Sequence, residues 1–437
     1  MSMFIALGIL LGLVSLCPAL LTVEGRLLPS LVPLLVASGL MIVSTSTPAG
    51  EAQRLARLIR PFAIGAVVPA IWICLQMLPL PAWRAEPWAG VLDLANPVWA
   101  SVAAGFRHSV AGSISVDIGA TAMALARYLS LVGAVLLSAA VAINRDRAEA
   151  VLVGLTAVTA LIAFVVACAE IFGASFPTAR AEALDCACLG IILSAACAAL
   201  VFERRESRRT KPGQREANFL GAIACAAAFL ICAIALIAAR SGSLIFAASC
   251  GFCMFGAVIL VRRLDLGAWG AAAIGVTASV IAIALAAGAA GYSSDPRLAF
   301  VKKDPASVEL TQRMLTDAPF AGAGAGTFGA LLPIYQPAAP ETGELDAVTA
   351  AAKISIEMGR PFLWAAVLAA AMIVLSLLRG AASRGRDSFY SAAGAACAIT
   401  LIVLAFVNVG LFGAALPLLA SVILGLAIAQ SHGQAST

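Results

Sequence analysis

Apolar residues in this chain come in runs of about 20 that are almost free of charge, the length a helix needs to cross a bilayer. Runs of this kind, rich in Ala, Leu, Gly and Val, read as transmembrane helices, because a helix satisfies its own backbone hydrogen bonds where no water can. The short alternating segments of a membrane β-barrel are absent from the pattern. Spans are predicted near 3–22, 27–45, 61–80, 118–143, 149–172, 185–202, 219–239, 243–261, 267–291, 361–378, 389–407 and 414–430. The expected fold is therefore all-α, a polytopic membrane protein of about twelve transmembrane helices. Residues 1–437 form a single integral membrane domain, with one large polar loop, 292–360, between helices nine and ten.

Composition agrees with the pattern: 62% of residues are hydrophobic and 12% charged, far more apolar than a soluble domain. The basic residues set the orientation, since Lys and Arg collect in short cytoplasmic loops. Arg54, Arg57 and Arg60 fall in one loop, Arg145 and Arg147 in a second, and Arg204, Arg205, Arg208, Arg209, Lys211 and Arg215 in a basic segment at 203–218. Arg262 with Arg263, and Arg379 with Arg384 and Arg386, complete the set. With twelve helices all five loops lie on one side, so both termini are expected in the cytoplasm, and 81–117 and 292–360 face outward. The first apolar run lacks a basic leader and a cleavage pattern, so helix one is expected to be retained.

The net charge of +5 is accounted for by these loops and calls for no nucleic-acid partner. The run from Glu203 to Glu216 anchors topology, and its charge also suits anionic lipid headgroups. The eleven cysteines all fall in or at the ends of predicted helices, Cys17 included. Cys250-x-x-Cys253 has a redox or zinc spacing but lies mid-membrane with no second ligand pair, so it reads as small apolar packing. The outward loops hold no cysteine, and no disulfide is expected there.

Candidate chemistry lies in the outward loops and near the outer ends of the helices. Trp83, Trp88 and Trp99 in 81–117 suit a segment lying at the bilayer interface. The same loop holds Arg107 and His108; the second of the two histidines is His432 in the tail. A lone loop histidine is more often solvated than catalytic. Arg127 sits inside helix four, where a guanidinium is costly unless it faces a cavity, a substrate or a partner such as Glu170. Arg240 opens a tight Arg-Ser-Gly-Ser turn, either as a snorkelling end residue or as an anion site, because Arg presents a fork of donors suited to phosphate. The large loop carries Asp295-Pro296-Arg297-Leu298, Lys302, Lys303 and Gln312-Arg313, then Gly322, Gly324 and Gly326 in alternation before Phe328. No strand precedes these glycines, so they read as a close backbone turn rather than a dinucleotide fingerprint.

Taken in order, these features resemble a known family. Arg240-Ser-Gly-Ser opens an apolar helix. Arg297-Leu298 follows, then Arg313-Met-Leu-x-x-x-Pro319-x-x-Gly322-x-Gly324-x-Gly326-x-Phe328, and Glu357-x-Gly359 just before helix ten. The pattern resembles the O-antigen ligase and Wzy-type polymerase superfamily; Met77-Leu78-Pro79-Leu80-Pro81 and Ile114-Ser115-Val116-Asp117 are similar to segments of its bacterial members. The resemblance implies an inner-membrane glycosyltransferase of the GT-C type, with 81–117 and 292–360 as periplasmic loops. Such a protein takes a glycan from an undecaprenyl-pyrophosphate carrier and joins it to an acceptor hydroxyl, with no cofactor, no nucleotide sugar and no metal if arginines balance the phosphates. Pyrophosphate or substrate binding is then expected of Arg240, Arg313, Arg297 and Arg127. The expected partners are the undecaprenyl-pyrophosphate-linked oligosaccharide, membrane lipids and a polysaccharide chain-length regulator.

One departure bears on mechanism. Ligases of this family usually carry a histidine, often His-Asn, about nine residues before Glu-x-Gly, and that register here reads Val348-Thr349. Glu344, Asp346 and Glu357 remain as candidate bases, although Glu357 also reads as a helix-start charge near Lys353 and Arg360. The missing histidine favours a polymerase extending lipid-linked repeat units of an exopolysaccharide or O-antigen. The rivals are a ligase, an inactive assembly subunit, and a lipid-linked glycan flippase or transporter, the last suggested by the basic segment that splits six helices from six.

Overall fold

The structure, a computed structural model, describes residues 2–23, 27–47, 49–80, 95–106, 112–173, 179–207, 212–263, 297–298, 305–335, 347–383 and 387–431. The predicted ninth span, 267–291, lies outside the described residues, as do Trp83, Trp88, Arg107, His108, Lys302, Lys303, Glu344, Asp346 and His432. Among the described residues the fold is all-helical, without strands, and ten helices are long and apolar enough to cross a membrane.

The first span is broken into α1 (Ser2–Ser15) and α2 (Cys17–Thr22). Pro18, in the first turn of α2, has no N–H to continue the ladder. Then follow α3 (Leu27–Ser46), α4 (Ala49–Met77), the short α5 (Val98–Phe106), α6 (Ile118–Val141), α7 (Arg145–Phe172), α8 (Arg180–Ser207), α9 (Pro212–Ala238) and α10 (Gly242–Arg263). The polar segment folds as three short helices, α11 (Pro305–Asp317), α12 (Phe328–Tyr335) and α13 (Ala350–Met358). The chain then returns through α14 (Arg360–Ser383), α15 (Ser388–Val407) and α16 (Ala415–Ala429).

The bundle is centred on α8 and α15. The former packs against α7, α9, α10 and α15, the latter also against α10, α14 and α16, while α16 lies on α6. Lipid chains are as apolar as leucine, so close packing rather than hydrophobicity holds such helices together, and small residues permit the approach. At Gly425 a Cβ would stand 3.0 Å from the Ala139 nitrogen of α6, and at Gly251 of α10 it would stand 2.9 Å from the Ala396 carbonyl of α15. All eleven cysteines are free; Cys250 is buried in the bundle, whereas Cys253 is exposed.

Ion pairs knit one end of the bundle. Arg145 reaches Asp387 at 2.8 Å and Arg204 meets Glu149, bringing the start of α7, the end of α8 and the start of α15 together. At the opposite end sits a cap made of α11, α12 and α13. Its own small core is formed by Leu298, Met314, Leu315, Phe328, Val348 and Ile356.

One span is short. The 15 residues of α16 rise only about 22 Å at 1.5 Å each, against a hydrocarbon core of about 30 Å. The adjacent α15, with 20 residues, rises about 30 Å, so the turn 408–414 descends several ångströms from the end of α15 to the start of α16. Non-helical backbone at that depth is tolerated only where protein satisfies it.

Candidate functional site

Four segments that stand far apart in sequence meet under the cap. The Gly-rich turn between α11 and α12 lies against the end of α13: Ala323 N donates to Ile356 O at 2.9 Å and Gly324 N to Glu357 O at 2.9 Å. On its other side Val116 N donates to Ala323 O (2.9 Å), and Ser115 N donates to Gln76 O (3.0 Å). Thus the segments around Met77, Ile114, Gly322 and Glu357 are backbone neighbours. Gly322 and Gly324 take φ of 80° and 110°, and a Cβ on Gly322 would come within 2.6 Å of the Gly359 nitrogen. Only glycine fits both the dihedral and the contact.

Gln76 is the pin. Fully buried at the end of α4, it donates through Nε2 to Ala321 O (3.2 Å) and Glu357 O (3.1 Å) and accepts from Ala325 N (3.0 Å). Trp72, one turn earlier, donates from Nε1 to Met358 O at 3.1 Å. Arg360 at the start of α14 donates to Leu315 O at 2.7 Å and ties α11 to the same cluster.

Glu357 is buried, and its Oε1 accepts from Phe328 N at 3.2 Å, so it caps the N-terminus of α12. A carboxylate there meets the positive end of the helix dipole. In the register where a histidine was expected, Val348 is fully buried in the cap core. Its neighbour Thr349 is the N-cap of α13, accepting from Ala352 N at 3.1 Å and donating to Arg297 O at 2.8 Å.

The turn 408–414 lies beside this cluster. Two acids of α8 hold it from one side: Glu182 Oε1 accepts from Ala415 N (2.6 Å) and Leu416 N (2.8 Å), and Asp185 accepts from Asn408 Nδ2 (2.7 Å). Asn408 in turn accepts from Gly410 N (2.9 Å), and its carbonyl takes Ala350 N of α13 (2.8 Å). From the other side Arg127, about 14 Å along α6 from Ile118, donates through Nη2 to Phe412 O at 2.9 Å and to Gly413 O. Lys353 of α13 places its ammonium 4.9 Å from the Phe412 ring centroid and 5.3 Å from that of Phe328.

Arg127 thus finds backbone carbonyls rather than Glu170, which pairs with Arg180. The other arginines are dispersed. Arg313 is exposed and pairs with Glu309 one turn away on α11. Arg240, exposed in the turn between α9 and α10, has a left-handed φ of 51°. No hydrogen bond or ion pair among the described residues joins Arg240 to Arg313. Gln76, Glu182 and the cationic role of Lys353 were missed in the sequence. Gln76 had a signal, as the only polar side chain between Phe62 and Met77.

No family model matches the chain, and no curated protein matches it. Fold and site together define an all-α, multi-pass membrane protein with a helical cap pinned over a turn that charged side chains of neighbouring helices hold.

Proposed function

We propose that the protein is a polysaccharide polymerase, joining undecaprenyl-pyrophosphate-linked repeat units on the periplasmic face of the bacterial inner membrane. The observation that carries this reading is the convergence under one cap of the four motif segments, next to a membrane-embedded arginine. In the reaction an acceptor hydroxyl oxygen attacks the anomeric carbon. The bond from that carbon to the diphosphate oxygen breaks, the lipid diphosphate leaves with the electron pair, and the hydroxyl proton passes to a base or to water. The diphosphate is already a good leaving group, so the protein's task is to bind it, orient the acceptor and stabilise the departing charge.

In this reading Arg127, Arg240, Arg297 and Arg313 offer cationic contacts to phosphate and glycan, and the cap orients the acceptor. Glu357 is occupied as a helix cap and serves to hold the turn. The base candidates Glu344 and Asp346 lie outside the described residues.

Reconstitution of the purified protein with a lipid-linked repeat unit tests the proposal. Longer chains are expected. Translocation without bond formation would make it a flippase, transfer to a different acceptor a ligase, and neither a scaffold. Arg240→Glu and Arg313→Glu both lie at exposed positions and are expected to leave folding intact while abolishing polymer. Unchanged polymer length and yield in both would remove these arginines from the site.

A further inference from the structure

We propose that Cys197 and Cys225 form a dithiol that is oxidised to a disulfide, a modification site that clasps α9 to α8 inside the membrane. The pair lies apart from the cap and the arginines, and its chemistry does not depend on the polymerase reading.

The register of two helices brings the thiols together. On the face that α8 and α9 share, a Cβ at Gly190 would stand 2.6 Å from Cys232 Sγ, and one at Gly221 would stand 3.4 Å from Val201 Cγ2. Position numbers rise along α8 as they fall along α9, so the helices run antiparallel. Two turns on from Gly190 is Cys197, and two turns back from Cys232 is Cys225; one further turn along each helix reaches Val201 and Gly221. Cys197 therefore faces Cys225 between the two glycine contacts. A disulfide needs Cα atoms about 4.4–6.8 Å apart, and a glycine on each helix removes the side chain that would hold the backbones farther apart.

Hydrogen bonds orient the pair. Thr156 Oγ1, on α7, donates to Leu152 O at 2.9 Å and lies 3.2 Å from Cys197 Sγ. With its one hydrogen committed, Thr156 accepts from Cys197, whose sulfur is left to accept from Cys225, the thiol bonded to it. Cys188, earlier on α8, instead donates to Leu244 O of α10 at 3.6 Å. Access differs across the pair: Cys197 is buried, while Cys225 is half-buried on a span whose Ile223 and Leu230 are exposed. The Cys225 sulfur is therefore approached from lipid, where a neutral reagent enters far more cheaply than a charged one.

An acceptor of the quinone class, neutral and soluble in the bilayer, completes the step. Both S–H bonds break, one S–S bond forms, and the two protons and two electrons pass to the quinone, which becomes the quinol. No charge is left in the apolar span. Because α9 packs mainly on α7 and α8, the bond fixes a peripheral helix to the centre of the bundle, and with it the turn at Arg240 that follows.

The test uses the full-length protein, reduced and then placed in nanodiscs of zwitterionic lipid that hold a short-chain ubiquinone. Proteolysis without reductant, followed by mass spectrometry, maps the crosslinks, and ultraviolet absorbance follows the quinone. A peptide pair joining Cys197 to Cys225 and released by reductant is expected, with quinol forming in step with the disulfide. Cys225→Ser should abolish both, whereas Cys253→Ser, at an exposed thiol of α10, should leave both unchanged. Folded protein whose Cys197 and Cys225 stay reduced under excess quinone would overturn the proposal, as would a crosslink joining either cysteine to a different one. Should Cys225→Ser fail to fold, the crosslink map of the wild type decides alone.

Discussion

Replacement of Gln76 by alanine tests whether one side chain pins the cap to the bundle. The substitution removes three hydrogen bonds from a site with no exposure. Glu357 O keeps a donor, since Gly324 N still reaches it, so the groups that lose their partner are Ala321 O and Ala325 N. A buried polar group stripped of its partner costs about 1–3 kcal/mol, and two such groups cost about 2–6 kcal/mol. At about 1.4 kcal/mol for each factor of ten, the opening equilibrium of the turn should rise at least roughly 30-fold. Hydrogen exchange followed by mass spectrometry on peptides spanning 321–328 reads this directly, with a peptide from the centre of α8 as the internal control. Exchange should accelerate in the turn and not in α8. Gln76→Glu should be at least as disruptive, because it sets a carboxylate oxygen against two carbonyl oxygens where an amide N–H₂ stood. Unchanged protection at 321–328 in Gln76→Ala would refute the reasoning.

Gly324→Ala should destabilise the cap by about 1–3 kcal/mol from its left-handed dihedral alone, and by more because its Cβ would stand 2.8 Å from Ser115 Cα. Gly329→Ala, with nothing within 4 Å of the added carbon, is the neutral comparison in the same thermal melt or proteolysis assay. Glu182→Ala leaves two buried amides at the start of α16 without an acceptor and should cost about 2–6 kcal/mol. Glu182→Gln, which keeps an oxygen in place, should recover most of the lost melting temperature. Burial, and then the Asp317 carboxylate to which it is hydrogen-bonded, push the Tyr335 phenol above its ordinary value. The neutral phenol is thus favoured in the folded cap, so its contribution is intact below about pH 10 and is lost as pH rises through the folded value. An ultraviolet difference titration of wild type against Tyr335→Phe should give a midpoint above 10, and a midpoint at or below 10 would count against the Asp317 contact.

The membrane architecture was legible because it depends on summed hydrophobicity, which no local detail overrides. Ten of the predicted spans are helices of membrane-crossing length, and the one at 414–430 is a shorter helix. The boundaries were less legible, and one of them mattered. The sequence places the start of the sixth span at 185, whereas α8 begins at Arg180 and carries Glu182 and Asp185 into the buried interior. A hydropathy window penalises acidic residues and cannot see that amides of a distant turn receive them. Arg127 was legible as an anomaly, but its partners were not: they are backbone carbonyls nearly 300 positions later, and backbone leaves no side-chain signature. The glycine alternation was read correctly as a close turn, while what it closes against, Glu357 and Ser115, required the fold.

The described residues of the register that ends at Glu357 serve packing and hydrogen bonding. Where a histidine was expected, Val348 faces the cap core beside Leu298, Met314 and Phe328, and nothing polar is presented at that position. A histidine there would have to bury an imidazole in an apolar cluster, at a cost that favours its neutral form and removes it from solvent. The following residue is equally committed, since Thr349 starts α13 and anchors the Arg297 carbonyl. Glu357 and Gly359, by contrast, keep the role that backbone geometry demands: the acid holds α12, and the glycine, at φ 93°, lets the Gly-rich turn pass. The scaffold of the motif is thus maintained by packing and hydrogen bonds that are indifferent to proton transfer. The cations nearby are engaged by the same scaffold, Arg127 with the Phe412 carbonyl and Lys353 with the Phe412 ring.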